Sequence, residues 1–188
     1  MFVGDSLTSP QNGYVSKVRN RVSIPVINAG VNGAKSTDVL DYLDFLLMYD
    51  PTVVVVFIGL NDVLRFVIDD GTQVGDFAKA MFDIVEECQS SGARVILCTL
   101  SVLGEDKIWE RNDVDKYSDV IRSVAWVEET QLIDIRSEIK RYLRVENKDN
   151  NTCGILTYDG GHFNEAGHLF IADLMLEGLL LGGEHESN

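Results

Sequence analysis

"TVVVVFIGLND" (52–62) decides the architecture. Its first seven residues are apolar or β-branched with no polar alternation, so neither face of the strand is built for water. A strand buried on both faces belongs in the middle of a parallel sheet, with helices above and below it. The run then stops at Gly59, and a polar pair, Asn61-Asp62, follows at once.

Working outward, "ARVILCTL" (93–100) is a second strand of the same two-faced kind. Between the two, residues 74–90 place Phe77, Ala80, Met81, Ile84 and Val85 on one side at helical spacing, and Gly92 ends that helix. Upstream, "STDVLDYLDFLLMY" (36–49) reads as a helix capped by the Ser36-Thr37 pair, with Val39, Leu40, Leu43, Leu46 and Leu47 apolar and Pro51 as breaker. "IPVINAG" (24–30) predicts a strand, 11–21 a helix and 1–4 a short first strand. Downstream come a loop (101–112), a helix (113–129), a strand "QLIDI" (131–135), a helix (136–145), a polar loop (145–154) and a last helix (165–180). Strands alternate with helices throughout. The expectation is one α/β domain over 1–181, a three-layer α/β/α sandwich on a parallel sheet of about five strands. Residues 182–188 read as a polar tail.

Composition narrows the partners. The 188 residues carry 30 acids against 16 bases, a net charge of −14. Such a surface repels phosphate backbones and anionic membranes, so nucleic acid is not an expected partner. No apolar run approaches the roughly 20 residues that span a bilayer. Three sparse cysteines, Cys88, Cys98 and Cys153, make no disulfide framework, and no basic-then-apolar leader precedes them. A cytoplasmic location is the expectation. The histidines, His162, His168 and His185, are too scattered for a metal site, so no metal is expected.

In open parallel sheets, ligands bind beyond the carboxyl ends of the strands. The residues after each predicted strand therefore carry the argument. Gly4-Asp5-Ser6 follows the first, "NAGVNGAKS" (28–36) runs from the end of the second, and Gly59-Leu60-Asn61-Asp62 follows the third. "YDGGHFNEAGH" (158–168) leads into the last helix. Each patch alone has a plain structural reading as a cap, a turn or a surface pair. Together they hold what acyl transfer needs. Ser6 is a nucleophile once a base takes its proton, and His162 is the candidate base. Asp159, three residues earlier, is near enough to orient the imidazole. The N–H groups of Ser6 and Gly33 and the amide of Asn61 are candidate oxyanion donors. No organic cofactor is expected, since this acyl-transfer chemistry needs none.

These blocks, "GDSL" (4–7), "NAGVNG" (28–33), "GLND" (59–62) and "DGGH" (159–162), resemble those of the SGNH hydrolase superfamily, the GDSL-type esterases and lipases. They fall in that family's order and span nearly the whole chain. The resemblance implies a flavodoxin-like sheet, with Ser6 as nucleophile, His162 as base, Asp159 as its orienter, and Ser6, Gly33 and Asn61 around the oxyanion. It implies a small-molecule ester as substrate. Two positions depart from the family pattern: only Met1, Phe2 and Val3 precede the Gly-Asp-Ser, and Phe163 follows the histidine where proline is common. The expected function is a serine esterase of carboxylic esters, short-chain acyl or lipid-type, acting through an acyl-enzyme. The alternatives are a carbohydrate O-deacetylase or an acyl thioesterase and, outside the enzymes, a ligand-binding module without turnover, and the oligomeric state is left open. Asp5 and Asp62 read as loop ties and His168 as packing or surface. Leu64, Phe66 and Val67, or Val102, Leu103, Ile108 and Trp109, read either as the border of an acyl pocket or as ordinary packing.

Overall fold

The strands are β1 (Phe2–Gly4), β2 (Asn28–Gly30), β3 (Val53–Phe57), β4 (Arg94–Cys98) and β5 (Gln131–Ile133). They form one sheet in the order β2-β1-β3-β4-β5, with every pairing parallel. This is the flavodoxin-like order, and its switch point lies between β1 and β3. The computed structural model describes residues 1–66, 71–106 and 113–181. The expected tail at 182–188, with His185, and Val67, Ile108 and Trp109 lie outside the described residues.

The helices are α1 (Tyr14–Arg19), α2 (Ser36–Leu47), α3 (Leu60–Phe66), α4 (Val74–Ser90), α5 (Val114–Val127), α6 (Ile135–Glu146) and α7 (Glu165–Leu181). The chain steps one way along the sheet from β1 to β2 and the other way thereafter. Right-handed crossovers then put α1 on one face and α2, α4 and α5 on the other. The packing agrees: α1 lies on α7, while α2 meets α4 and α4 meets α5. In β3, Val54, Val55, Val56 and Phe57 are all buried, as a strand covered on both faces requires. No helix among the described residues is long and apolar enough to cross a membrane.

Four local expectations change. The strand read over 131–135 ends at Ile133, and Ile135 already opens α6. The strand read over 24–30 pairs only at 28–30, because β1 offers it just Phe2, Val3 and Gly4. Ser36 and Thr37 do not cap α2. Lys35 is the cap residue, its N–H donates to Asp38 at 2.8 Å, and Ser36 is already helical. The stretch after Gly59 is no simple turn but a helix, α3, so Asn61 and Asp62 sit in its first turn. Gly59 makes that entry possible with φ of 123°, a backbone conformation that side-chain-bearing residues rarely take.

Candidate active site

The site assembles from three adjacent strand ends and one loop. β1 pairs Gly4 with Gly30 of β2 and with Phe57 of β3, so the three chains leave the sheet side by side. Beyond Gly4, the Asp5 carbonyl accepts the N–H groups of Thr8 and Ser9 at 3.1 and 3.0 Å, and Asp5 Oδ1 accepts that of Leu7 at 2.9 Å. This tight turn carries Ser6 at its half-buried crest. A side chain at Gly4 would run into the Thr8 hydroxyl and the Phe57 carbonyl, so the turn needs glycine there.

The second strand end is bound to that turn. Asn28 Nδ2 donates to the Thr8 carbonyl at 2.8 Å, and the Val31 N–H donates to the Gly4 carbonyl at 2.9 Å. Gly33 then turns the chain with φ of 76°. On the third, Asn61 Nδ2 donates to the Ala34 carbonyl at 3.0 Å and to Asp5 Oδ2 at 3.3 Å. Asp62 accepts both the N–H and the hydroxyl of Ser36, at 3.0 and 2.7 Å. Asp5 and Asp62 thus tie loops, as their turn positions suggested. Burial is the main reason the Asp5 carboxyl is pushed up to about 6; the Leu7 N–H opposes the shift and Asp62 adds to it.

The fourth piece is the loop before α7. Asp159 Oδ1 accepts the N–H groups of Gly161 and His162 at 2.9 and 2.7 Å, and its Oδ2 lies 2.8 Å from His162 Nδ1. His162 Nε2 lies 3.1 Å from Ser6 Oγ. Partial burial works against the Asp159 carboxylate, but the hydrogen bonds from His162 and Gly161 outweigh it and hold its pKa below the usual value. The Tyr158 ring stacks on the imidazole, with centroids 5.7 Å apart and planes 14° from parallel.

Ser6, Gly33, Asn61 and His162 line one open cleft of about 820 Å³, together with Ser9, Gln11, Asn32 and Tyr158. Among the described residues, the N–H groups of Ser6 and Gly33 have no hydrogen-bond partner within the protein. Phe163 reaches the cleft wall while stacking on Phe57 at 6.5 Å in the core, so it joins sheet to site. His168 also reaches the cleft, but its Nδ1 accepts the Tyr14 N–H at 3.2 Å, and burial pulls its pKa down. Its role is to join α7 to α1.

Val102 is packed in the core, Leu103 lies against it and Leu64 is exposed; none of the three lines the cleft. Tyr158, Gln11 and Asn32 were not singled out from the sequence. Only the neighbours of Tyr158 and Asn32 in the Asp159 and Gly33 blocks pointed their way.

The family model for the GDSL-like Lipase/Acylhydrolase family matches residues 2–169. The chain belongs to this family and is an ester hydrolase. Among solved structures, it is similar to an acetyl xylan esterase, AlAXEase, with a TM-score of 0.88 and 31% identity over 94% of this chain and 98% of that one. It shares its fold with Axe2, an acetylxylan esterase from Geobacillus stearothermophilus, at a TM-score of 0.81 and 22% identity over 94% and 91% of the two chains. It also shares it with LAE5, an alpha/beta hydrolase from the metagenome of Lake Arreo, Spain, at a TM-score of 0.81 and 24% identity over 94% and 92%. No curated protein sequence matches the chain.

Proposed function

We propose that the protein is a serine esterase that cleaves small acyl groups, acetyl foremost, from a carbohydrate. The observation that carries the reaction is the file of contacts from Ser6 Oγ to His162 Nε2, at 3.1 Å, and from His162 Nδ1 to Asp159 Oδ2, at 2.8 Å. Ser6 Oγ attacks the ester carbonyl and His162 takes its proton. The imidazolium is held by Asp159 and then protonates the departing alcohol. Water, deprotonated by the same nitrogen, attacks the acyl-enzyme. It releases the carboxylic acid and restores Ser6.

The tetrahedral oxygen is received by the N–H groups of Ser6 and Gly33 and by Asn61 Nδ2. The two backbone donors have no competing acceptor among the described residues, which favours that use. Asn61 has two acceptors, and the 3.3 Å link to Asp5 is the longer. A developing oxyanion competes with it most readily, since such contacts often tighten only in the transition state.

The carbohydrate reading rests on the likeness to AlAXEase and on the character of the cleft. Gln11, Asn32 and Ser9 offer amide and hydroxyl groups at its rim, and Tyr158, 64% exposed, offers an aromatic face. A long acyl chain would want an apolar channel instead. The test is a series of nitrophenyl esters of rising chain length, run beside acetylated xylo-oligosaccharides and an acetyl thioester. The expected result is the highest kcat/KM on acetylated sugars and a steep fall beyond short acyl chains. Preference for long chains or for the thioester would overturn the carbohydrate assignment. Failure of a fluorophosphonate probe to label the protein would overturn the acyl-enzyme.

A further inference from the structure

We infer that Glu105 is a positioning residue for the Asp159–His162 pair, which it holds in register through the hydroxyl of Thr157. The inference rests on the proposed role of that pair. Glu105 lies on the loop after β4, some fifty residues before the segment it holds, and is 1% exposed. Its Oε1 accepts the N–H of Leu156 at 2.6 Å, the N–H of Thr157 at 2.5 Å and the Thr157 hydroxyl at 2.8 Å. Its Oε2 accepts the N–H of Ile155 at 2.7 Å. A carboxylate is an acceptor at every lone pair, and here four donors converge on it.

The Thr157 hydroxyl is what turns this from a loop tie into a positioning device. A hydroxyl has one hydrogen, and here it is committed to Glu105. Its oxygen must then receive, and it receives the N–H of Gly160 at 3.2 Å. Gly160 sits between Asp159 and His162 and turns the chain with φ of 89°. Its carbonyl is held from the other side by the Gly104 N–H at 2.7 Å, next to Glu105 itself. The peptide groups between acid and base are thus pinned from both ends by one short segment, Gly104-Glu105. Glu105 is fixed in turn, because its N–H donates to the Thr152 carbonyl at 2.9 Å and its carbonyl accepts Asn147 Nδ2 at 2.7 Å.

The pair needs such support. His162 and Asp159 have side chains 46% and 43% exposed, so packing alone does not set their positions. Removing the Thr157 hydroxyl leaves the Gly160 N–H without its acceptor and frees the turn to drift from Ser6. A displacement of about 1 Å at a reacting group costs up to about 100-fold in rate.

The experiment compares Glu105→Gln, Thr157→Val and Thr157→Ser with the unaltered protein, using para-nitrophenyl acetate. Active sites are counted by fluorophosphonate labelling taken to completion, and the melting temperature is recorded. A loop tie alone would lower the melting temperature or the count of active sites and leave kcat per site unchanged. Positioning predicts that Thr157→Val and Glu105→Gln lower kcat per active site about 10- to 100-fold with KM within about two-fold, and that Thr157→Ser restores it. A folded Thr157→Val enzyme with normal kcat per site overturns the inference, as does a Thr157→Ser enzyme equally impaired. If Glu105→Gln does not fold, the two Thr157 variants decide alone. His162→Ala, measured in parallel, separates the two levels: turnover surviving there overturns the proposed pair and the inference with it, while its loss beside a normal Thr157→Val overturns the inference only.

Discussion

Ser6 and Ser9 stand three residues apart on the lip of the same cleft, and their surroundings differ in kind. Ser6 Oγ faces an imidazole, whereas Ser9 Oγ donates to the amide oxygen of Asn32. A hydroxyl with no base nearby stays a weak nucleophile. Ser6→Ala is therefore expected to fold normally and lose ester turnover, and mass spectrometry should place the fluorophosphonate adduct on the peptide that carries Ser6. An adduct resting on Ser9 instead would reassign the nucleophile. Asn61→Ala is expected to lower kcat about 100- to 1,000-fold with little change in KM, as the loss of an oxyanion donor does. A fall in melting temperature with normal kcat would reduce Asn61 to a tie between α3 and the Gly33 loop.

Asp5 permits a test in pH. Burial raises its folded pKa to about 6, above the ordinary 3.8 of an unfolded aspartate. Between those values the folded state holds more protons than the unfolded state, so stability falls as pH rises. The penalty is absent well below the unfolded value, is complete above the folded one, and is on the order of 3 kcal/mol. Asp5→Asn has no charge to bury. Urea unfolding should show its stability improving relative to wild type as the pH is raised from about 4 to about 7. A pH-independent gap would reject the burial penalty. Activity should fall at the same time, because the new amide hydrogens face Asn61 Nδ2, which needs an acceptor.

At the scale of elements, two helical glycines make opposite predictions. Gly167 lies in the first turn of α7, where Asn164 caps the helix by accepting the Gly167 N–H at 2.9 Å. A methyl group there would overlap the carbonyl oxygen of Leu156, a backbone atom of the very segment that Glu105 holds. Backbone cannot swing aside, so Gly167→Ala is expected to destabilise by about 1–3 kcal/mol despite alanine's better helix propensity. Gly75, in the first turn of α4, has nothing within 4 Å of the same added carbon. Gly75→Ala is expected to stabilise by about 0.5–1 kcal/mol. Denaturant midpoints check both signs. The sequence marks both glycines equally, as interruptions in a helical pattern, and only the neighbour of each decides.

At the scale of the molecule, the charge of −14 acts on every approaching substrate. An ester with an anionic alcohol is expected to show lower kcat/KM than a neutral analogue of equal size. The gap should narrow as ionic strength rises from about 10 mM to about 500 mM, because the screening length shrinks from roughly 30 Å to a few ångströms. A gap insensitive to salt would place the discrimination in direct contacts inside the cleft.

The alternation of buried strands and amphipathic helices was legible along the chain, because burial on one or two faces writes a short-range period into the residues themselves. The same holds for the blocks around Ser6, Gly33, Asn61 and Asp159-His162, each of which is local. Helix α3 was not legible, since seven residues with turn-forming Asn61 and Asp62 at their head carry too little period to outweigh a turn. Strand pairing set the true length of β2, because a partner three residues long can satisfy only as many. The chemistry of the blocks paired Ser6 with His162, but their approach to 3.1 Å across 156 positions, and the meeting of Glu105 with Thr157 across 52, are not written in spacing or composition. A hydrogen bond depends on positions to within a few tenths of an ångström, and only the packed sheet and its crossovers bring distant residues that close.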